Sequence, residues 1–130
     1  MKRVIIIGGF IIGLIFLLMA GIYIWIGQSV KAHISEAIEM YSGDAEDALI
    51  AFVSDPENSF YDRTHKGVWT LGQIRSEKAL PLLYQLYQND PDGETCYGQH
   101  DSSICQYEIH KAISSIENWS PFNHQRLGSK

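Results

Sequence analysis

The chain has 130 residues, of which 45% are hydrophobic, and a formal net charge of −5 at pH 7. All 15 acidic residues follow residue 30, where only eight lysines and arginines accompany them, so this part carries a formal charge of −7. An acidic surface repels phosphate backbones, which argues against nucleic acid as a partner.

Residues 1–29 are predicted to form a transmembrane anchor. Val4 to Ile26 contains no charged side chain. At ~1.5 Å per residue this run gives roughly 35 Å of helix, enough for a hydrocarbon core of about 30 Å. Lys2 and Arg3 precede it, so the positive-inside rule predicts a cytoplasmic N-terminus. We expect a single-pass protein of the cell (inner) membrane, with a periplasmic or extracellular C-terminal domain.

Two features of the anchor leave alternatives open. The apolar run could instead be a cleaved signal peptide, although the apolar region of a signal peptide is usually shorter and ends in small residues. Gly9 and Gly13 form a GxxxG pair, which would let two anchors touch and make a homo-oligomer.

Residues 30–118 are predicted to form a helical domain, because apolar side chains recur there at helical spacing. The predicted helices cover residues 28–41, 45–54 and 104–117, and two further helices lie back to back within residues 60–89. Their expected N-terminal caps are Asp44, Ser59 (in a capping box with Asp62), Ser76 and Ser103 (in a capping box with Gln106). Residues 119–130 are expected to be an irregular tail, from which Trp119 and Phe122 fold back onto the last helix.

The two helices within residues 60–89 form the centre of the predicted core. The second of them has an apolar face wide enough to need neighbours on two sides, as in a stacked helical array. We expect Gly72 to allow the two helices of this pair to approach closely, with Trp69 filling the gap beside it. The predicted core residues are Val68, Trp69, Leu71, Gly72, Leu82 and Leu83.

The sequences VWTLGQI (68–74) and KALPLL (78–83) resemble one HEAT-like repeat, of the short kind named after phycobilisome lyases. The likeness is strong over residues 60–89 and partial over 30–55 and 103–117. The chain is similar to small membrane-anchored bacterial HEAT-repeat proteins. The resemblance implies an all-α fold, in which the anchor is followed by a short α-solenoid of about five helices used for protein contact. It provides no catalytic residue and no cofactor to carry over.

The only cysteines, Cys96 and Cys105, are predicted to form a disulfide if the domain lies in an oxidising compartment. Closing this loop would stabilise the fold by ~2.5–3 kcal/mol in the chain-entropy model. The alternative is a zinc site, or a zinc enzyme, built from Cys96, His100, Cys105 and His110. Their spacing is irregular, and Cys105 and His110 do not share a helical face.

The inserted loop of residues 90–102 also holds four acids: Asp90, Asp92, Glu94 and Asp101. It lacks the oxygen spacing and closing glutamate of a calcium loop, so a solvated turn is expected. Because insertions in helical arrays often lie on the binding side, a partner protein is predicted to contact Tyr97, Gln99, His100, Tyr107 and Lys111. The expected function is therefore a non-catalytic protein-interaction module. The alternatives are the zinc protein and a self-associating structural membrane protein.

Overall fold

The computed structural model describes residues 2–97 and 102–118, with side chains from residue 7 onward. Every regular element in these ranges is helical, and they contain no strand. The predicted all-helical class is therefore confirmed. By internal contacts the chain divides into two compact units, Met1–Ala32 and His33–Lys130.

Helix α1 (Lys2–Met40) begins in the first unit and runs without a break into the second. The helix predicted over residues 28–41 is thus present, and it prolongs the apolar helix directly as far as Met40. An apolar window within Ile7–Met40 has a mean hydropathy of 2.5, and none of it is buried. Among the described residues this is the one helix long and apolar enough to cross a membrane.

The second unit adds five α-helices to the end of α1: α2 (Ala45–Ser54), α3 (Phe60–Asp62), α4 (Trp69–Gln73), α5 (Leu80–Leu86) and α6 (Gln106–Glu117). A π-helical segment, Arg63–Val68, joins α3 to α4 without a turn. Single turns of 3₁₀-helix lie at Glu77–Ala79 and Glu94–Cys96. The largest buried side chains come from every major helix of this unit, including Leu49, Leu71, Leu83, Ile109 and Ile116.

Two of the four predicted caps are confirmed. Asp44 Oδ1 accepts a hydrogen bond from the Asp47 N–H at 2.9 Å, which starts α2. Ser59 Oγ accepts from the Asp62 N–H at 3.0 Å and donates to the Asp62 carboxylate at 2.9 Å. These bonds satisfy N–H groups that a helix start leaves without partners.

The other two caps were predicted wrongly. The Ser76 hydroxyl is buried without a hydrogen-bond partner and caps nothing. Helix α6 begins at Gln106 rather than near Ser103, with Cys105 at the N-cap position. The buried Gln106 side chain instead accepts from the Gln88 N–H and donates to the Leu86 carbonyl, so it closes the end of α5. Tertiary partners of Gln106 therefore override the local capping pattern.

Two buried glycines set the helix spacing in the core. A Cβ atom built on Gly67, in the π-helical segment, would lie 2.3 Å from Val53 Cγ2 of α2. A Cβ atom on Gly72 would lie 3.0 Å from the Ala112 Cα atom of α6. Gly72 was expected to face its partner helix within residues 60–89, and that expectation was wrong: it lies against the last helix.

Candidate functional site

The outer face of α6 is the best candidate for a functional surface. The inner face of the helix is apolar and buried, through Ile109, Ala112, Ile113 and Ile116. Turned away from this core are Tyr107, which is 45% exposed, and Lys111, whose side chain is 51% exposed. Because these two positions are four residues apart, they lie one above the other on the same face.

This face forms one side of an open groove of about 580 Å³. The lining residues are Arg75, Tyr107, His110, Lys111, Ser114, Ser115 and Asn118. All but one belong to α6 or its C-terminal cap, and Arg75 comes from the corner between α4 and the Glu77–Ala79 turn. The sequence prediction had named Tyr107 and Lys111 on this face, and had not named the others as partner-binding.

Arg75 reaches the groove from a backbone position that usually holds glycine. Its φ is +55°, in the left-handed region. The Arg75 N–H donates to the Gly72 carbonyl and the Ser76 N–H donates to the Leu71 carbonyl. This pair of bonds is the Schellman arrangement, in which a left-handed residue ends a helix. A side chain in this conformation costs roughly 1–2 kcal/mol relative to a right-handed one.

Aromatic rings flank the charged groups of the groove. The Lys111 ammonium lies 5.1 Å from the centre of the Tyr107 ring and 3.4 Å from a Glu108 carboxylate oxygen. The His110 ring stacks on Tyr87 of the preceding segment, with centroids 5.9 Å apart. These contacts hold both side chains along α6.

The loop before α6 is anchored at both ends. The Asp90 carboxylate accepts hydrogen bonds from the Glu94 N–H, the Thr95 N–H and the Thr95 hydroxyl. The bond from the Thr95 backbone is the main reason that the pKa of Asp90 is lowered. Gly93, with φ of +70°, lies so close to Tyr107 that a Cβ atom would be 2.6 Å from the Tyr107 Cβ. The described part of the loop therefore adjoins the groove.

Cys96 and Cys105 are joined by a disulfide, with Cα atoms 5.1 Å apart, and both are buried. The Cys105 N–H donates to the Thr64 hydroxyl, which connects the start of α6 to the π-helical segment. The disulfide uses both sulfur atoms, so while it is formed the two cysteines cannot supply the thiolates that the zinc alternative requires. His100, the third residue of that set, lies outside the described residues, and His110 faces Tyr87.

The remaining predicted site residues are placed as follows. Tyr97 is 91% exposed at the end of the anchored loop. Gln99 and His100 lie outside the described residues, as do Asp101, Trp119 and Phe122. Asp90 is occupied by its own loop and is not part of any cluster of three metal-binding side chains among residues 2–97 and 102–118. Of the predicted core, Val68, Leu71, Gly72 and Leu83 are buried, whereas Trp69 and Leu82 are half-buried.

A second polar cluster lies away from the groove. His33 Nδ1 is 2.9 Å from the Thr70 hydroxyl, and the His33 ring meets Trp69 edge to face. Thr70 has no exposed surface, so its hydroxyl cannot meet a substrate in this conformation. The Lys66 ammonium bonds Glu36 at 2.7 Å, which raises the pKa of this lysine. These interactions join α1 to α4 and to the π-helical segment.

Three features escaped the sequence analysis. The Tyr41 hydroxyl donates to Asp55 at 2.6 Å and accepts from Asn58. These two hydrogen bonds connect the end of α1 to the turn after α2. Gly67 was not recognised as a packing glycine, although a glycine within a helical pattern is a signal of close approach. Nothing in the sequence indicated that Arg75 would adopt a left-handed conformation, because that conformation depends on where α4 ends.

Comparison of the chain with protein-family models, with curated proteins and with solved structures gave no match in any of the three. The functional argument therefore depends on the geometry of the groove and on the chemistry of the chain.

Proposed function

We propose that the chain is a single-pass membrane protein whose helical domain lies outside the cytoplasm and binds a protein partner without catalysing a reaction. The observation that carries this proposal is the open groove on α6 beside a disulfide-anchored loop. Supporting arguments come from the anchor, the disulfide and the order of the helices.

The orientation is supported by charge and by redox chemistry. Lys2 and Arg3 are the only charged side chains before the apolar run, and such residues favour the cytoplasmic side. A Cys96–Cys105 disulfide persists in an oxidising compartment and is reduced in the cytosol. Both arguments predict a domain on the outer side of a cell membrane.

A repeat architecture of the HEAT-like kind is supported by aligning residues 47–52 (DALIAF) with residues 78–83 (KALPLL), which makes positions 31 residues apart equivalent. Ala48 and Ala79 are both buried, and so are Phe52 and Leu83. Asp47 and Lys78, which are also equivalent, form an ion pair of 2.5 Å. Helix α6 packs against both α4 and α5, and α2 packs against α4 and the π-helical segment. In such arrays side chains of successive helices form the binding surface.

Binding rather than catalysis is supported by the form of the groove. It is open, and its lining combines Arg75, Tyr107 and Lys111 with smaller polar side chains of α6. Tyrosine and arginine are enriched at the energetic centres of protein interfaces. A loop that is already fixed by a disulfide loses little entropy when a partner binds.

Site-specific photo-cross-linking in native membranes tests this proposal. A photoreactive residue at Tyr107 or Tyr97 should capture the same partner protein, whereas one at the exposed Glu57, after α2, should not. Equal capture at all three positions, or none at Tyr107 and Tyr97, would refute a partner on this face.

A fusion after Lys130 tests the orientation separately. A reporter that works only outside the cytoplasm should be active at this position, and a reporter that works only in the cytoplasm should be inactive. The reverse result would contradict both the orientation and the oxidising-compartment argument.

A further inference from the structure

The lining of the groove on α6 differs from the acidic domain that carries it, because it contains no acidic residue. After residue 30 the acidic side chains outnumber lysine and arginine by 15 to eight. The residues that line the groove nevertheless include two cations, Arg75 and Lys111, and none of the lining residues is acidic. The adjoining carboxylate, Glu108, is only 17% exposed and is turned to Lys111 at 3.4 Å.

The chemistry of the lining suits carboxylates. An arginine guanidinium presents a planar set of donors that matches a carboxylate in two parallel hydrogen bonds. Lys111 adds an ammonium group beside the Tyr107 ring, and the Asn118 amide and Ser114 hydroxyl are further donors. A basic strip within an acidic surface also steers an acidic partner to this face.

The length of the strip suits a peptide better than a single small anion. Tyr107, Lys111, Ser114 and Asn118 follow one another along one face of α6. At ~1.5 Å per residue the strip is roughly 16 Å long. An extended peptide rises ~3.3 Å per residue, so about five residues would lie along it.

We propose that this groove binds an acidic peptide segment of the partner protein, with side-chain carboxylates held by Arg75 and Lys111. This inference rests on the proposed function and adds the chemical class of the partner. The Tyr107 ring, below the Lys111 ammonium, provides the apolar contact for the same segment.

Selection from a displayed library of random 12-residue peptides tests the inference. The target is the full chain in uncharged-lipid nanodiscs, and empty nanodiscs serve for counter-selection. Selected peptides should be enriched in aspartate and glutamate. Their binding should weaken as salt is raised, because screening lengths fall from about 10 Å at 0.1 M to about 3 Å at 1 M.

Four variants connect the binding to the groove. Lys111→Glu should weaken the binding of the selected peptides about tenfold, as expected for reversal of a charge in an interface. Lys31→Glu makes the same charge change at an exposed lysine that does not line the groove, and it should have no effect. Glu108→Gln removes the competing carboxylate and should strengthen binding about twofold. Arg75→Gly should weaken binding without loss of folding, since glycine suits the left-handed position.

Several results would overturn the inference: peptides without acidic enrichment, no selected peptide, or equal effects of Lys111→Glu and Lys31→Glu. Stronger binding to phosphatidylglycerol vesicles than to any peptide would assign the groove to lipid, and chain-to-chain cross-links from Tyr107 would assign it to a second copy. If Tyr107 captures a partner while the acidic preference fails, the inference fails and the proposed function stands. If Tyr107 and Tyr97 capture nothing, the proposed function fails first.

Discussion

Gly67 provides the sharpest test of the packing, because alanine is normally the better residue within a helix. A Cβ atom at this position would lie 2.3 Å from Val53 Cγ2 and 3.3 Å from Phe52 Cδ1. Both neighbours are buried, and the β-branched Val53 has few alternative rotamers. The Gly67→Ala variant must therefore push α2 away from the π-helical segment.

The expected cost follows from two opposing effects. Overpacking of a well-packed core costs about 1–3 kcal/mol. Replacing a helical glycine by alanine returns roughly 0.5–1 kcal/mol. The net loss of unfolding free energy is about 1–2 kcal/mol. For a domain of this size that corresponds to a fall of roughly 5–15 °C in the melting temperature.

Thermal unfolding of the full chain in detergent, followed by near-ultraviolet circular dichroism, measures this effect. Gly27→Ala, within α1, is the matched control: nothing lies within 4 Å of its Cβ position, so only the helix-propensity effect applies and no loss of stability is expected. In the double variant with Val53→Ala, the two losses should be less than additive because the clashing methyl group is gone. A Gly67→Ala protein that melts at or above the parent temperature would refute the close contact.

Three further predictions are checked by thermal unfolding or by hydrogen exchange. Gly72→Leu should destabilise more than Gly67→Ala, because its side chain meets the backbone of Ala112. Cys105→Ser should speed hydrogen exchange in residues 90–97 before it lowers the melting temperature, and unchanged exchange would contradict the anchoring role of the disulfide. The Tyr41 hydroxyl lowers the pKa of Asp55, so this bond stabilises the fold above the ordinary carboxyl pKa of about 4 and is lost in acid. The Tyr41→Phe protein should melt below the parent at pH 7, with a difference that narrows as the pH falls below about 4; a constant difference would contradict this.

The features that depend only on residues close together in the sequence were predictable from it. The uncharged run of α1 and its continuation to residue 40 follow from composition and helical spacing. The Asp44 and Ser59 caps follow from residues within one turn of each other. Each of these features satisfies its hydrogen bonds or its hydrophobic surface locally, so few competing arrangements exist.

The features that were predicted wrongly, or not at all, depend on which helix from elsewhere in the sequence packs beside them. Ser76 and Ser103 have the local pattern of caps, but the Ser76 hydroxyl is buried without a partner, and Gln106 of the predicted Ser103 box bonds the Gln88 N–H instead. Gly72 was correctly associated with a close approach, yet the sequence does not say that Ala112 is the group that approaches. The groove likewise combines α6 with Arg75, more than 30 positions earlier in the chain, and no periodicity within α6 indicates that neighbour.

Arg75 connects the stability of the domain to its proposed binding role. A Schellman turn is most stable with glycine at the left-handed position, where an arginine side chain costs free energy. Residues held in such conformations occur preferentially at functional sites, because the surrounding structure must offset the strain. Here the turn directs Arg75 to the groove that also contains Lys111 and His110. Glycine at this position would end α4 equally well, but it would remove the one positive charge that the groove receives from outside α6 among the described residues.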